Sequence, residues 1–265
     1  MSKTIIVTSG PTNERIDDVM KITNMSTGNL GAIIAERLMH NPDVSKVYYL
    51  SAKMSVTPEC PDGPGKLRKI RVEDTESLLE ALRELLTNPK EHIDAVIHSA
   101  AVGDYKGRYV TTAESLARDI IYQEEQKDRS LTYAELLNIL TDPDSTMDRD
   151  GKLSSYENNL MVMLDLTPKV IGEIKASSPS TMLIGFKLLD GVRKHELFRV
   201  ADKLRRKNNA DYIVANDLSK IGNGKHWAMI VGSDGIVTEC ITKMEIAETV
   251  EQLVFEKPVE HNIYV

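Results

Sequence analysis

Ser26-Thr27-Gly28-Asn29-Leu30-Gly31 is a stretch of the 265-residue chain whose residue types could hold an anion. Gly28 and Gly31 let backbone come close to a phosphate, and a helix starting here offers unpaired N–H groups and a positive dipole end. The same residues also read as an ordinary helix start, with Ser26 or Thr27 as N-cap and the glycines permitting a tight turn. Lys203 and Lys207 are four apart on a helical stretch, share a face, and with Arg206 could neutralise a triphosphate. A solvated basic face is the plainer reading of that charge. Asp104, just past an apolar strand, is either a specificity residue or a turn-former, and His98, closing that strand, reads as a core histidine. The six histidines are scattered, with no Ser-His-Asp or Cys-His spacing for nucleophilic catalysis.

Two other patterns are weaker. Tyr49 and Lys53 make a Tyr-x-x-x-Lys, but it precedes the strand ending at Ala101 instead of following it. No G-x-G-x-x-G stands directly after the first strand, so an NAD(P)-binding oxidoreductase is the alternative reading, not the leading one. From Thr146 to Glu157, the acids Asp148, Asp150 and Glu157 and the glycine Gly151 have calcium-loop spacing. Thr146 is a poor first ligand, and a strand, not a helix, follows, so an acid-rich lid is the better reading and no protein-held metal is assigned.

The elements that must position these residues alternate. Apolar strands are predicted at 3–9, 46–51, 67–72, 94–99, 160–166, 182–187 and 211–215, with hairpin-like strands at 227–231 and 236–241. Helices are predicted from the 26–31 turn through Met39, along the leucine stripe Leu78–Leu86, and at 167–176 and 194–208. Near-continuous apolar strands alternating with helices imply an α/β fold, a Rossmann-like, mostly parallel sheet with helices on both faces. Residues 60–65 read as a loop. Residues 105–155 are polar, hold no convincing strand and follow a strand's carboxyl end, so they are expected to be a lid or dimer arm within one domain spanning 1–265.

Composition narrows the function classes. A formal net charge of −7 argues against non-specific nucleic-acid binding. The longest apolar run, Leu160–Leu164, is far short of the roughly 20 residues of a membrane helix. Met1–Val7 runs straight into a strand with no leader-like segment, so a cytoplasmic protein is expected. Cys60 and Cys240 have no zinc-ligand spacing and are not needed as a staple in a chain this long.

Several segments, taken in order, resemble the phosphopantothenate–cysteine ligase family, in its form without a fused decarboxylase. They are Thr8-Ser9-Gly10-Pro11-Thr12-Asn13-Glu14, Ile16-Asp17, Ile22 to Gly31, His98 to Tyr105, Lys152-Leu153-Ser154-Ser155, Thr167-Pro168-Lys169, Gly185-Phe186-Lys187-Leu188 and Ala215-Asn216-Asp217. The resemblance implies a two-step ligation serving coenzyme A biosynthesis. The carboxylate of 4′-phosphopantothenate attacks the α-phosphate of CTP or ATP, with Mg²⁺, releasing pyrophosphate. Cysteine's amine then displaces the nucleoside monophosphate from the acyl carbon.

By motif position, the resemblance makes Asn24 the donor needed to turn over the acyl-nucleotide and Lys152 the lysine of a mobile loop over the triphosphate. Gly10, His98, Ser99, Ala100, Asp104, Thr167, Pro168 and Phe186 fall where the family holds the nucleotide, and Lys203 and Lys207 match its triphosphate-binding pair. Ser26, Thr27, Gly28 and Ala101 fall where it holds phosphopantothenate. The resemblance also implies a homodimer. Met20 stands where many members have arginine, Lys152 is the one lysine of its loop, and Lys187 follows Phe186 where fused bacterial enzymes carry a small residue. CTP is expected as the preferred nucleotide, with ATP possible. A regulatory subunit with the ligase fold but no turnover is the non-enzymatic alternative.

Overall fold

The computed structural model describes residues 2–60 and 65–255. Most of the loop expected over 60–65 therefore lies outside the described residues. In chain order the elements are β1 (Lys3–Ser9), β2 (Asn13–Arg15), β3 (Lys21–Thr23), α1 (Asn29–His40), β4 (Val44–Ser51), β5 (Leu67–Arg71), α2 (Thr75–Thr87) and β6 (Ala95–His98). They continue as β7 (Tyr105–Thr112), α3 (Ala113–Lys127), α4 (Tyr133–Thr141), β8 (Leu160–Leu166), α5 (Val170–Ser177) and β9 (Met182–Leu189). The last are α6 (Lys194–Lys207), β10 (Tyr212–Gly222), β11 (Lys225–Gly232), β12 (Gly235–Cys240) and α7 (Lys243–Phe255). The chain divides into two compact units: Asn13–Asn24 with Gly103–Pro168, and the remainder.

The larger unit is built on one eight-stranded sheet in the order β12-β11-β10-β9-β6-β1-β4-β5. The six strands from β10 to β5 are mutually parallel, and β11 and β12 add an antiparallel edge. Strand alternation sorts the side chains into two cores. Ile5 and Val7 face Ile34 and Leu38 of α1 and Ile246 and Val250 of α7, while Ile6 faces Leu78 and Leu82 of α2, Ile174 of α5 and Leu197 of α6. Helices thus cover both faces, as the apolar strands require. β1 leads toward β4 on one side, whereas β6 leads toward β9 on the other, so the order reverses between β1 and β6. In open α/β sheets, ligands settle outside the carboxyl ends of the strands at such a reversal.

The smaller unit departs from expectation. Residues 105–112 form a strand, β7, and β8 pairs antiparallel with it in a two-stranded sheet instead of joining the parallel one. A register shift between Gly107 and Tyr109 interrupts the alternation that would have marked β7 in the sequence. The predicted lid residues also hold helices α3 and α4, begun by Thr112 and Thr132 caps. The calcium-like segment runs on toward strand β8, and among the described residues no group of three or more His, Cys, Asp or Glu gathers to hold a metal.

Arg149 of that segment serves another purpose. Its guanidinium donates to the carbonyls of Ile16 (2.6 Å), Gly107 (2.9 Å), Arg108 (3.0 Å) and Arg15, tying the β2–β3 hairpin to β7. Arg149→Ala is expected to destabilise the protein by about 2–3 kcal/mol in urea unfolding, because charge-assisted bonds to several carbonyls go at once. Arg149→Lys should not restore it, since one ammonium cannot span four acceptors.

Candidate active site

In the larger unit the carboxyl ends of β1 and β6 stay together beyond the strands. Ser99 Oγ donates to Thr8 O (2.7 Å), Ala101 N to Gly10 O (2.9 Å) and Thr12 N to Ala101 O (3.3 Å). Gly10 and His98–Ala101, assigned to ligand binding from the sequence, therefore line one seam at the reversal point. His98 is buried, and its Nδ1 shares a 2.9 Å hydrogen bond with Thr8 Oγ1. Burial pushes its pKa down to about 4, so the imidazole is neutral and structural.

α1 begins beside this seam. Ser9 Oγ donates to Gly28 O at 2.9 Å, and a Cβ on Gly31 would fall 2.3 Å from Ser9 Oγ and 2.7 Å from Ser99 Oγ. Only glycine permits this approach. The N-cap is Gly28, at φ 78°, instead of Ser26 or Thr27; it has no side chain to cap with, and Thr27 Oγ1 accepts only from Asn29 N, at 3.4 Å. That leaves amide N–H groups for an anion at the positive end of the helix. The first strand and this helix are separated in sequence by the segment that carries β2 and β3, which is why no glycine fingerprint follows β1 directly.

Phe186, on β9, packs partly buried in the α1 and α7 core. Lys203 and Lys207 lie away from the seam on α6. α6 connects two parallel strands, so it runs back from the carboxyl edge, and Lys207 lies roughly 20 Å along the helix from its start. The structure does not bring these two lysines to the seam: they stand exposed toward the amino edge, where Asp202 pairs with the neighbouring Arg205 and Arg206. Tyr49 is also unavailable for chemistry, since it is buried and donates to Val56 O (2.7 Å), with its hydroxyl pKa pushed up to about 12 by burial.

The smaller unit carries the other candidates. Asp104 and Thr167 flank the paired ends of β7 and β8: Thr167 N donates to Asp104 O at 3.0 Å, and Thr167 Oγ1 donates to Gly103 O. The Asp104 and Pro168 side chains are exposed there. Asn24 follows β3, and Lys152 is exposed beside buried Leu153.

Asp17 joins the last two segments and has no assigned role from the sequence. Its Oδ1 accepts from Val19 N (2.7 Å) and Met20 N (2.5 Å), and its Oδ2 accepts from Leu153 N (2.9 Å). The amides of Met20, Leu153 and Val19, with the Arg15 charge, hold its carboxyl below the ordinary value of 3.8. An Asp two or three residues before the amides it bonds is a turn signal; that it also grips the lysine loop was not legible locally.

The sequence profile of the DNA/pantothenate metabolism flavoprotein C-terminal domain matches residues 1–142 and 108–257. The coenzyme A biosynthesis bifunctional protein CoaBC of Thermococcus kodakarensis is 29% identical over 247 residues, which are 93% of this chain and 49% of that protein. The chain spans about half the length of the curated relatives it matches. The crystal structure of the DNA/pantothenate metabolism flavoprotein from Streptococcus pneumoniae superposes with a TM-score of 0.75 at 33% identity, covering 96% of this chain and 98% of that one. A Cab2 variant in complex with phosphopantothenate-cysteine shares the fold alone, with a TM-score of 0.61 at 16% identity over 95% of this chain and 87% of that one.

Proposed function

Because the chain belongs to the family of the DNA/pantothenate metabolism flavoprotein C-terminal domain, we propose that it is a ligase joining 4′-phosphopantothenate and L-cysteine through an acyl-nucleotide. The observation that carries the reading is the start of α1, with a glycine as its N-cap, set against the β1–β6 seam at the sheet's reversal point.

In the first step the pantothenate carboxylate attacks the α-phosphorus of CTP, the preferred nucleotide, or ATP, and the bond to the leaving pyrophosphate breaks. Mg²⁺ arrives as part of the nucleotide substrate, where phosphate oxygens supply most of its ligands. Lys152 offsets the charge that builds as two anions meet, and the Ser26–Gly28 turn holds phosphopantothenate through backbone N–H groups. In the larger unit the seam residues and Phe186 are our proposed nucleotide contacts; in the smaller unit they are Asp104, Thr167 and Pro168, Asp104 accepting from sugar hydroxyls or a base amino group.

In the second step the cysteine amine attacks the acyl carbon, gives up a proton, and expels the nucleoside monophosphate. The Asn24 amide donates to the oxyanion of that tetrahedral intermediate. We propose that the active form is a homodimer in which 105–155 serves as lid or dimer arm; exposed Leu160, Met161, Leu164 and Leu166 of β8 support a surface that a second copy covers. Among the described residues no helix is long and apolar enough to cross a membrane.

The test is pyrophosphate release from purified protein with Mg²⁺, 4′-phosphopantothenate and cysteine, run with CTP and with ATP. Release that requires phosphopantothenate, with the amide product seen by mass spectrometry, is the expected result. No release with either nucleotide overturns the reading.

A further inference from the structure

Asp217 has no part in the chemistry above, yet it is a carboxylate with 1% of its surface exposed at the carboxyl edge of the large sheet. It is the last residue of β10 paired with β9, where it stands opposite Leu189. Beyond it β10 runs on into the hairpin with β11, across a register shift between Asn216 and Ile221. Burying a charge is costly unless the group is paired and hydrogen-bonded, so the partners of Asp217 show what its burial achieves.

Its Oδ1 accepts from Ser219 Oγ (2.7 Å), Ser219 N (3.1 Å) and Gly191 N (3.0 Å). The Ser219 bonds are a local turn of β10 with itself, whereas the Gly191 bond reaches into the loop between β9 and α6. Gly191 stands at φ 62°, and a Cβ there would meet nothing within 4 Å, so the glycine answers to the shape of the backbone and not to crowding. Oδ2 faces Lys220 Nζ at 3.9 Å, and that ammonium lies 4.0 Å from the centre of the Trp227 ring. Trp227 Nε1 donates to Glu239 Oε2 at 3.3 Å, and Glu239 pairs with Lys194 at the start of α6. The loop is thus held at Gly191 by Asp217 and at Lys194 by Glu239. Burial works against the charged form of Asp217, but the bonds from Ser219 and Gly191 and the Lys220 charge outweigh it and keep the carboxyl below its ordinary value of 3.8.

We propose that Asp217 is a positioning residue for the nucleotide: by fixing Gly191 it sets the course of the chain between Phe186 on β9 and the start of α6. The inference rests on the ligase reading, which makes Phe186 a nucleotide contact. β9 lies next to β6, one of the two strands at which the sheet's order reverses, so the loop leaving β9 borders the place where ligands of open α/β sheets settle. The pairing of β6 with β9 ends at His98 and Gly185, so from Phe186 to Leu189 the strand partner of β9 is β10. Asp217, at the last of those pairs, carries the tie one step further, from strand to loop. Without it the Gly191 amide loses its acceptor and the loop is free to swing away from the carboxyl edge.

Steady-state kinetics and calorimetric titration with CTP and with ATP compare the whole wild-type protein with Asp217→Ala and Asp217→Asn, each shown by thermal unfolding to be folded at the assay temperature. Alanine removes every bond, whereas asparagine keeps one acceptor oxygen for Gly191 N and Ser219 and gives up the charge that faces Lys220. Asp217→Ala is expected to raise KM and Kd for the nucleotide about tenfold while the KM for 4′-phosphopantothenate stays within about twofold, and Asp217→Asn to recover most of the loss. Where Asp217→Ala does not fold, Asp217→Ser, too short to reach Gly191, is read in its place. Nucleotide affinity within about twofold of wild type, equal losses for both substrates, or an asparagine variant as impaired as alanine would each overturn the role. Weakened nucleotide binding in a protein with no ligase turnover keeps the positioning role and sinks the ligase reading, and turnover that the variants leave unchanged does the reverse. No binding of either nucleotide by the wild type overturns both.

Discussion

Gly31→Val is expected to leave little folded protein, and what folds should have lost phosphate binding. A Cβ at this position would stand 2.3 Å from Ser9 Oγ, 2.6 Å from Ser9 Cβ and 2.7 Å from Ser99 Oγ, so the clash is with two strand ends at once. Neither serine can swing away freely, since Ser9 Oγ is bonded to Gly28 O and Ser99 Oγ to Thr8 O. Overpacking of a close-packed interior costs about 1–3 kcal/mol for added methylenes, and a β-branched side chain against fixed partners sits at the upper end or beyond it. Set against a total stability of about 5–15 kcal/mol, that is a large share. If α1 lifts instead, the Gly28 turn moves with it and the cradle opens. Urea unfolding together with pyrophosphate titration checks both outcomes; a variant of wild-type stability and affinity would contradict the packing described for α1.

Asp17→Asn should lower kcat/KM by about a hundredfold, the scale on which a displacement of about 1 Å costs catalysis, with the KM for nucleotide raised more than that for phosphopantothenate. The carboxylate's two oxygens accept from opposite directions, the β2–β3 turn on one side and Leu153 on the other. Asparagine has one acceptor oxygen, and its NH₂ would face an N–H wherever it is turned. One of the two grips must fail, and either failure loosens a segment carrying a proposed ligand contact, Asn24 or Lys152. Steady-state kinetics with each substrate varied in turn, at a temperature where the variant is fully folded, reads the split. The same group sets an acid limit. Its pKa is depressed in the folded state, so its stabilising contribution is present above the ordinary value near 3.8 and is lost as pH falls through the lower folded value. Protection of the Leu153 amide from hydrogen exchange, followed into the acid range, would report that loss.

The parallel sheet was legible because its strands announce themselves. Ile5-Ile6-Val7, Ala95-Val96-Ile97 and Ile213-Val214-Ala215 are buried on both faces and so read as unbroken apolar runs. The leucines of α2 and the 3.6-residue spacing of Leu30, Ile34 and Leu38 in α1 were equally plain. β2 and β3, at three residues each, are too short to show any period, and β7 is broken by its register shift at Gly107. α7 has a regular stripe, Ile246, Val250 and Leu253, that the expected elements did not include. At the site, the Ser26–Gly31 turn and the His98–Ala101 seam could be picked out by residue type. The grip of Asp17 on the Leu153 amide could not, because partners far away in sequence are visible only once the chain is folded.

The hydrogen bond from Thr167 N to Asp104 O also bears on how the larger unit can fold with so long an excursion in the middle of its sheet. An open loop running from Gly103 to Pro168 between β6 and α5 would cost about 2 kcal/mol more in closure entropy than a tight turn. Because β7 and β8 zip together from Tyr105 and Leu166 onward, the excursion leaves and returns through neighbouring backbone, and the sheet meets it as a short link. The Asn13–Asn24 excursion does the same on a smaller scale, with Asn13 paired to Thr23. Each detour thus closes its own circuit, and its length can vary while the strands on either side keep their places.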